Sequence, residues 1–217
     1  MGEIKKEIIL KTEKFVFEKL LEVDSSHDFF HIKRVVNNVK LISKFEKNVD
    51  LFIVEMGALL HEMSDYKLLG DCENFLDEVK IFLINVGVIN LDVEHLLKII
   101  SNVSFSLDFS GRISKEFDVV CDADKLDAVG AVGIARTFAY AGFRGNPIYD
   151  SDIKPNLNKS KEEYRKCDNT AFNHFYEKIL KLPNLMRTDF GKKIALERNE
   201  FVKAFLEQFL SEVDAKL

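Results

Sequence analysis

The stretch LFIVEMGALLHE, residues 51–62, is apolar over almost its whole length and ends in a histidine and a carboxylate. A helix that is apolar on every side lies inside a protein rather than on its surface. His61 and Glu62 therefore end a predicted core helix over residues 51–63. A polar pair in that position is unfavourable unless a partner satisfies it, and a bound cation is one such partner. The alternative is a carboxylate that is solvated at the mouth of a helix bundle or paired with Lys67.

Helical spacing recurs on both sides of this stretch, and no segment alternates for long with the period of two that strands show. Apolar residues from about 28 to 45 recur at steps of three and four, which predicts an amphipathic helix. Further helices are predicted at about 3–22, 73–86, 92–103, 117–140, 169–182 and 190–215. Residues 105–116 have the composition of a loop. The sequence thus predicts an all-α fold and a single domain, 1–217, with a core at about 20–145 and C-terminal helices at about 169–215 packed on it.

Composition and charge exclude several classes of partner. The 217 residues carry a formal net charge of −5, which disfavours a nucleic acid polymer. The first ten residues are charged and lack the apolar core of a signal peptide, and no apolar run approaches membrane-spanning length, so we expect no membrane association. Three widely spaced cysteines fit the reducing cytoplasm. The sequence leaves the oligomeric state open, a homodimer included.

Histidines near the start of the second predicted helix add to the polar pair at 61–62. His27 and His31 are four residues apart, so both can face the same side of a helix. His31 lies off the apolar stripe of this helix. The alternative to a ligand is therefore a histidine at the surface or at the edge of the core. Imidazole and carboxylate groups together form a ligand set for a divalent transition metal. The candidate ligands are His31, His61, Glu62 and Asp124.

Three aspartates in the predicted helix 117–140 can be separated by helix geometry. At about 100° per residue, Asp124 and Asp127 lie near one face, whereas Asp122 points almost to the opposite side. One metal ion can therefore bind Asp124, with Asp127 behind it, but not Asp122 and Asp124 together. The alternative is three solvated aspartates near a helix N-terminus. Gly130 and Gly133 are expected in mid-helix, where they permit close packing.

Four ordered stretches resemble successive blocks of the bacterial HD-superfamily hydrolases of the YedJ/YpgQ type. They are HDFFHIKRV (27–35), ALLHEMSDYKL (58–68), CDADKLDAVGAVGIARTFAYAG (121–142) and NHFYEKILKLPNLMRTDFGKKIALERNEFVKAFLEQF (173–209). The resemblance covers nearly the whole chain. It implies an HD-domain helical bundle with additional C-terminal helices, one divalent metal ion (Mn, Ni, Co, Fe, Mg or Zn) and hydrolysis of phosphate esters or anhydrides. Some relatives of this type hydrolyse nucleotides.

The resemblance also implies roles for single residues. His31 and His61 match the two metal-binding histidines of the family, and Asp124 matches the aspartate of its A-D-[RK]-L block. Glu62 stands where the family carries Asp. Asp65 matches an acidic position that helps to orient the attacking water in related enzymes. Candidates to support the ligands from behind are His27 and Asp127. Candidates for phosphate contacts are Arg34, Lys67, Lys125, Arg136 and Arg144.

Two hypotheses follow for the function. The first is a metal-dependent phosphohydrolase that acts on a small phosphorylated metabolite, with a nucleotide as the favoured substrate. The second is a non-catalytic ligand-binding or interaction module, because Glu62 is one methylene longer than Asp and the metal site could be weakened. The presence of both histidines, of Asp65 and of Asp124 favours the enzyme, since a discarded site would be expected to lose several of these groups.

Overall fold

Helices are the regular structure of this protein. The computed structural model describes residues 1–20, 29–64, 73–103, 111, 113–157 and 169–216, and all regular elements in these ranges are helical. The prediction of an all-α fold is confirmed. The chain divides into two compact units, Met1–Asp124 and Lys125–Leu217. The arrangement as one domain, with the C-terminal helices packed on the core, stays a prediction.

In the part of the first unit that the structure describes, the first five helices begin and end close to the predicted positions, and a sixth begins near its predicted start but ends earlier. They are α1 (Glu3–Leu20), α2 (Phe29–Ile42), α3 (Leu51–Leu60), α4 (Glu73–Asn85), α5 (Asn90–Val103) and α6 (Lys115–Asp127), whose last three residues lie beyond the boundary of the unit. A 3₁₀ turn, His61–Ser64, continues directly from α3. None of the helices in the described ranges combines the length and the apolar character that crossing a membrane requires.

Helix α3 is the centre of the first unit. It begins where the side chain of Asp50 accepts a hydrogen bond from the backbone N–H of Phe52 at 2.8 Å, a typical N-cap. Every residue from Phe52 to Leu60 is buried, and α3 contacts α1, α2 and α5. The prediction of a core helix is confirmed. The chain therefore leaves α3 inside the protein, where His61 and Glu62 follow.

The long helix predicted over residues 117–140 is wrong, because the structure has two helices there. Helix α6 ends at Asp127, and α7 covers Gly130–Phe143. Between them Val129 is extended, with φ −120° and ψ 149°, and Gly130 has φ +82°. Glycine adopts this left-handed conformation at little cost, whereas residues with a Cβ rarely do. Gly130 thus belongs to a turn that ends one helix and starts the next.

Within its described residues, 125–157 and 169–216, the second unit continues after α7 with two more helices. They are α8 (Ala171–Glu177) and α9 (Asp189–Val213), separated by a 3₁₀ segment, Ile179–Leu185, that contains Pro183. Its apolar core is rich in aromatic rings, with Phe138, Phe205 and Phe209 around the buried Phe175. The unit therefore has a hydrophobic core of its own.

Candidate metal centre

His31 is buried in α2, with only 2% of its surface exposed. The sequence pattern placed it off the apolar stripe, and a histidine at the surface or at the edge of the core was the alternative to a metal ligand; the structure instead buries the ring. The reason is that α2 buries a second row of residues at steps of four, three and four, formed by His31, Val35, Asn38 and Ile42. Two of these four residues are polar, and a polar group buried in a helix row needs a partner.

His61 lies at the start of the 3₁₀ turn that follows α3, and it is also buried. Its Nδ1 atom lies 2.7 Å from the backbone carbonyl oxygen of Ala58. A carbonyl oxygen can only accept, so Nδ1 carries a proton and donates it. In the neutral ring the other nitrogen, Nε2, then has a free electron pair. In metal-binding histidines, one ring nitrogen usually donates such a hydrogen bond, which fixes the ring so that the other nitrogen can bind the metal.

Four side chains from three parts of the first unit converge on one point. The Nε2 atoms of His31 and His61 lie 3.3 Å apart. Oε1 of Glu62 lies 3.2 Å from Nε2 of His31 and 3.4 Å from Nε2 of His61. Oδ1 of Asp124, on α6, lies 3.4 Å and 3.7 Å from the same two nitrogens. All four donor atoms lie within 4.8 Å of one another.

These separations fit the donor shell of a single divalent ion. For donors about 2.1 Å from an ion, neighbouring donors lie about 3.0 Å apart in an octahedron and about 3.4 Å apart in a tetrahedron. Four of the separations, 3.2 to 3.4 Å, fall in this range, and the separation of 3.7 Å between Nε2 of His61 and Oδ1 of Asp124 is slightly longer. Two neutral imidazoles and two carboxylates also carry two negative charges in total, which offsets the charge of a divalent cation. Both the geometry and the donor set therefore fit a metal.

The electrostatics of the site show how strongly these groups interact without a cation. Burial opposes the charged form of His61, but hydrogen bonds to Asp124 and Glu62 and the charges of these carboxylates outweigh it and raise the pKa of His61 to about 9. Burial likewise opposes ionisation of Asp124, yet hydrogen bonds from His31 and His61 hold the pKa of this carboxyl well below its usual range. The site thus keeps its carboxylate ionised and attracts positive charge, either a proton or a metal ion.

The structure separates the three aspartates as helix geometry predicted. Asp124 contributes to the donor cluster, whereas Asp122 is completely buried and is not among the four donors. Asp127 is buried too, and its Oδ2 atom lies 2.8 Å from Nη1 of Arg136 on α7. The alternative of three solvated aspartates is wrong. Arg136, a candidate for phosphate contacts, is an ion-pair partner of Asp127.

Some of the remaining candidate residues are described by the structure, and others lie outside the described residues. Arg34 is half-buried on α2, one turn after His31, and Lys125 is half-buried on α6 next to Asp124 in the chain. Arg144 is exposed after the end of α7, where its backbone N–H donates to the carbonyl of Tyr140. Three candidates lie outside the described residues, namely His27, Asp65 and Lys67. The roles of all these residues stay predictions.

One polar residue near the site was not a candidate on the sequence. Asn38 is buried on α2, and its side-chain amide donates to the backbone carbonyl of Ala123, the residue before Asp124. The available signal was its position seven residues after His31, two helical turns further along the same face. A single asparagine at this spacing is too common to stand out in a sequence.

Comparisons with known proteins agree with this fold. The uncharacterized protein YpgQ of Bacillus subtilis (strain 168) is 34% identical to the chain over 218 residues, which cover 98% of this chain and 96% of YpgQ. The crystal structure of an HD-superfamily hydrolase from Bacillus thuringiensis matches with a TM-score of 0.78 and 38% identity, covering 97% and 99% of the two chains. The crystal structure of B. subtilis YpgQ in complex with ADP matches with a TM-score of 0.76 and 33% identity, covering 96% of each chain. No protein-family model matches the chain.

The helical fold, the donor cluster and these likenesses define the class of protein. It is that of the HD-superfamily hydrolases, which include the B. thuringiensis structure. Within this class, the identity over nearly the full length of both chains is decisive, and the chain belongs to the YpgQ family. The resemblance seen in the sequence is confirmed.

Proposed function

We propose that this protein is a metal-dependent phosphohydrolase that cleaves a phosphate ester or anhydride bond of a small phosphorylated metabolite, and that this metabolite is a nucleotide. One observation carries the proposal. It is the convergence of four donor atoms from His31, His61, Glu62 and Asp124 at separations that fit one divalent ion. The departure at Glu62 does not weaken it, because Oε1 of Glu62 already lies as close to the histidines as Asp124 does.

The residues of the chain have distinct tasks in this proposal. His31 and His61 would offer the free electron pairs of their Nε2 atoms, and Glu62 and Asp124 would offer carboxylate oxygens. These residues would hold a divalent ion, and the chemistry it would supply is polarisation of a phosphoryl oxygen and a lowered pKa of water. The hydrogen bond from Nδ1 of His61 to the carbonyl of Ala58 would hold the imidazole ring in a fixed orientation. By resemblance, Asp65 would orient the attacking water and accept its proton.

Binding of a phosphate group requires cationic side chains that neutralise its negative charge. Arg34, Lys67, Lys125 and Arg144 are the proposed phosphate contacts, and Arg34 is favoured because it lies one turn after His31 on α2. Arg136 is a weaker candidate, because its guanidinium is bonded to Asp127. The ADP bound to B. subtilis YpgQ supports a nucleotide as substrate. The proposed cleavage releases either phosphate or pyrophosphate.

A metal analysis joined to a release assay tests this proposal. The purified protein is analysed for bound metal and then incubated with a panel of nucleotides and Mn, Ni, Co, Fe, Mg or Zn, while phosphate and pyrophosphate are measured. We expect about one metal ion per chain and metal-dependent release from at least one nucleotide. His31→Ala should lose both. His95→Gln should keep both, because His95 lies on α5 with its Nε2 atom 2.8 Å from Oγ of Ser114 and is not one of the four donors.

The rival hypothesis, a non-catalytic binding module, predicts a different result from the same assay. Such a protein would bind a nucleotide without releasing phosphate or pyrophosphate in the presence of any metal in the panel. Binding of ADP followed by fluorescence or calorimetry therefore accompanies the release assay. Nucleotide binding with no release under all conditions would overturn the proposed activity and support the module.

A further inference from the structure

Asn38 connects α2 to α6 beside the donor cluster. Its side chain is buried, with 8% of the residue exposed, and Nδ2 donates to the backbone carbonyl oxygen of Ala123 at 3.0 Å. A carbonyl oxygen has two electron pairs, so the carbonyl of Ala123 can accept this bond in addition to one within its helix. The bond thus joins two helices at the residue directly before Asp124.

The same face of α2 also contributes a proposed metal ligand. His31 lies seven residues before Asn38, two helical turns away, and both residues belong to the buried row of α2. Nε2 of His31 lies 3.4 Å from Oδ1 of Asp124. Helix α2 therefore approaches α6 with two polar groups, one at the side chain of Asp124 and one at the backbone that carries it.

We propose that Asn38 is a positioning residue, which holds α6 at the distance from α2 that places the Asp124 carboxylate among the metal ligands. The inference rests on the proposed function, because it concerns the metal of that site. In this arrangement Asn38 acts through its hydrogen bond to the backbone carbonyl of Ala123. Its amide is suited to this task, since it is uncharged and leaves the charge balance of the cluster unchanged.

Geometry explains why a single hydrogen bond matters here. The donor separations of 3.2 to 3.7 Å leave little tolerance, and a shift of α6 by about 1 Å would move Asp124 out of the donor shell. Loss of the amide would also leave a buried carbonyl without its side-chain donor, so that α6 would move to satisfy it. Partners that orient ligands typically change metal affinity about 10- to 100-fold when they are removed.

A second buried asparagine serves as the control that separates an effect on the metal ligands from a general loss of stability. Asn199 on α9 is equally buried, at 5% exposure, and its Nδ2 donates to the backbone carbonyl of Leu180 at 3.4 Å in the second unit. Asn38→Leu, Asn38→Ala and Asn199→Leu are compared with the wild type. The dissociation constants of Mn²⁺ and Co²⁺ and the absorption spectrum of the Co²⁺ form are measured well below the melting temperature of each variant.

We expect both Asn38 variants to bind Mn²⁺ and Co²⁺ at least tenfold more weakly and to give an altered Co²⁺ spectrum. Asn199→Leu should lose a comparable amount of thermal stability and keep wild-type affinity and spectrum. Wild-type affinity in either folded Asn38 variant would overturn the positioning role and leave the proposed function intact. Absence of metal binding by the wild type would instead overturn the proposed function. The distance from Asp124 to His31 in a crystal structure of Asn38→Ala would then decide the positioning role by itself, with an unchanged distance overturning it.

Discussion

Nδ1 of His61 donates a hydrogen bond to the backbone carbonyl oxygen of Ala58, three residues earlier, over 2.7 Å. The bond ties the ring to the last turn of α3, so that Nε2 points away from the helix and toward His31. The end of a buried helix has carbonyl groups without partners of their own, and a side-chain donor satisfies one of them. The ring is thus oriented by the helix that precedes it, before any ligand binds.

The affinity for metal should rise with pH through the neutral range. Without metal the pKa of His61 is raised to about 9, so the ring carries a second proton below that pH. A metal ion must displace this proton from Nε2, and the apparent affinity should increase by about tenfold per pH unit up to about pH 9. Titration of the protein with Mn²⁺ at pH 6, 7, 8 and 9 measures this dependence. A flat dependence over this range would contradict the protonated state of His61.

The stability of the metal-free protein should change with pH in the opposite sense. The pKa of His61 is higher in the folded than in the unfolded chain, so its contribution is complete below about pH 6.5 and is lost as the pH rises through 9. The lowered pKa of Asp124 gives a contribution that is present above about pH 4 and is lost in more acidic solution. Denaturant unfolding with a chelator present measures both limbs. His61→Gln should abolish the loss between pH 6.5 and 9, and persistence of that loss would assign it to other groups.

The metal site should be adapted to the length of the Glu62 side chain. Oε1 of Glu62 lies 3.2 Å from Nε2 of His31, and the residue itself lies in the 3₁₀ turn. Glu62→Asp should therefore withdraw the carboxylate by about one bond length and weaken metal binding, although the family carries Asp at this position. Glu62→Gln keeps the length and removes the charge, and it should bind metal more weakly as well. Metal stoichiometry and affinity of the three proteins check this, and tighter binding by Glu62→Asp would favour a degraded site instead.

The two neighbouring aspartates of α6 should respond differently to neutralisation. Asp124→Asn should reduce metal binding by at least tenfold, because Oδ1 of Asp124 belongs to the donor cluster. Asp122→Asn should keep wild-type metal affinity, because this completely buried residue is not among the four donors. Its effect should appear in the free energy of unfolding, since it alters a buried polar group. Loss of metal from Asp122→Asn alone, in a protein that remains folded, would contradict the register of α6.

Local patterns were sufficient to predict much of the site. The apolar run before His61 predicted a core helix with a polar end, and the rotation of 100° per residue separated Asp124 from Asp122. Both inferences depend on the geometry of a single helix, which the sequence encodes directly. The convergence of His31 with these groups could not be derived in this way, because it depends on which helices pack together. It entered through the resemblance to a family.

Contacts between elements account for what the sequence did not predict. The burial of His31 and the hydrogen bond from Asn38 to Ala123 arise because a second side of α2 is covered, which a single amphipathic stripe does not indicate. The ion pair of Arg136 with Asp127 was not predicted either, because it forms across the turn between α6 and α7; a phosphate contact by Arg136 stays a prediction. That turn was also not predicted from the sequence. Gly130 stands in a run of small residues whose composition favours a helix, and the turn becomes evident only in the structure, where Gly130 has φ +82°.

Gly133 should be essential to the same turn. A Cβ atom on Gly133 would lie 2.2 Å from the backbone carbonyl oxygen of Ala128, closer than two such atoms can approach. Gly133→Ala must therefore push α7 away from the end of α6, and we expect a loss of about 3 kcal/mol in the free energy of unfolding. Gly142→Ala is the matched control on the same helix, because a Cβ there would meet no atom within 4 Å. It should be neutral or should stabilise the protein by up to about 1 kcal/mol, since alanine favours the helix. Denaturant unfolding of both variants measures the difference, and equal stability of the two would show that the approach of Ala128 to Gly133 is not a constraint on the fold.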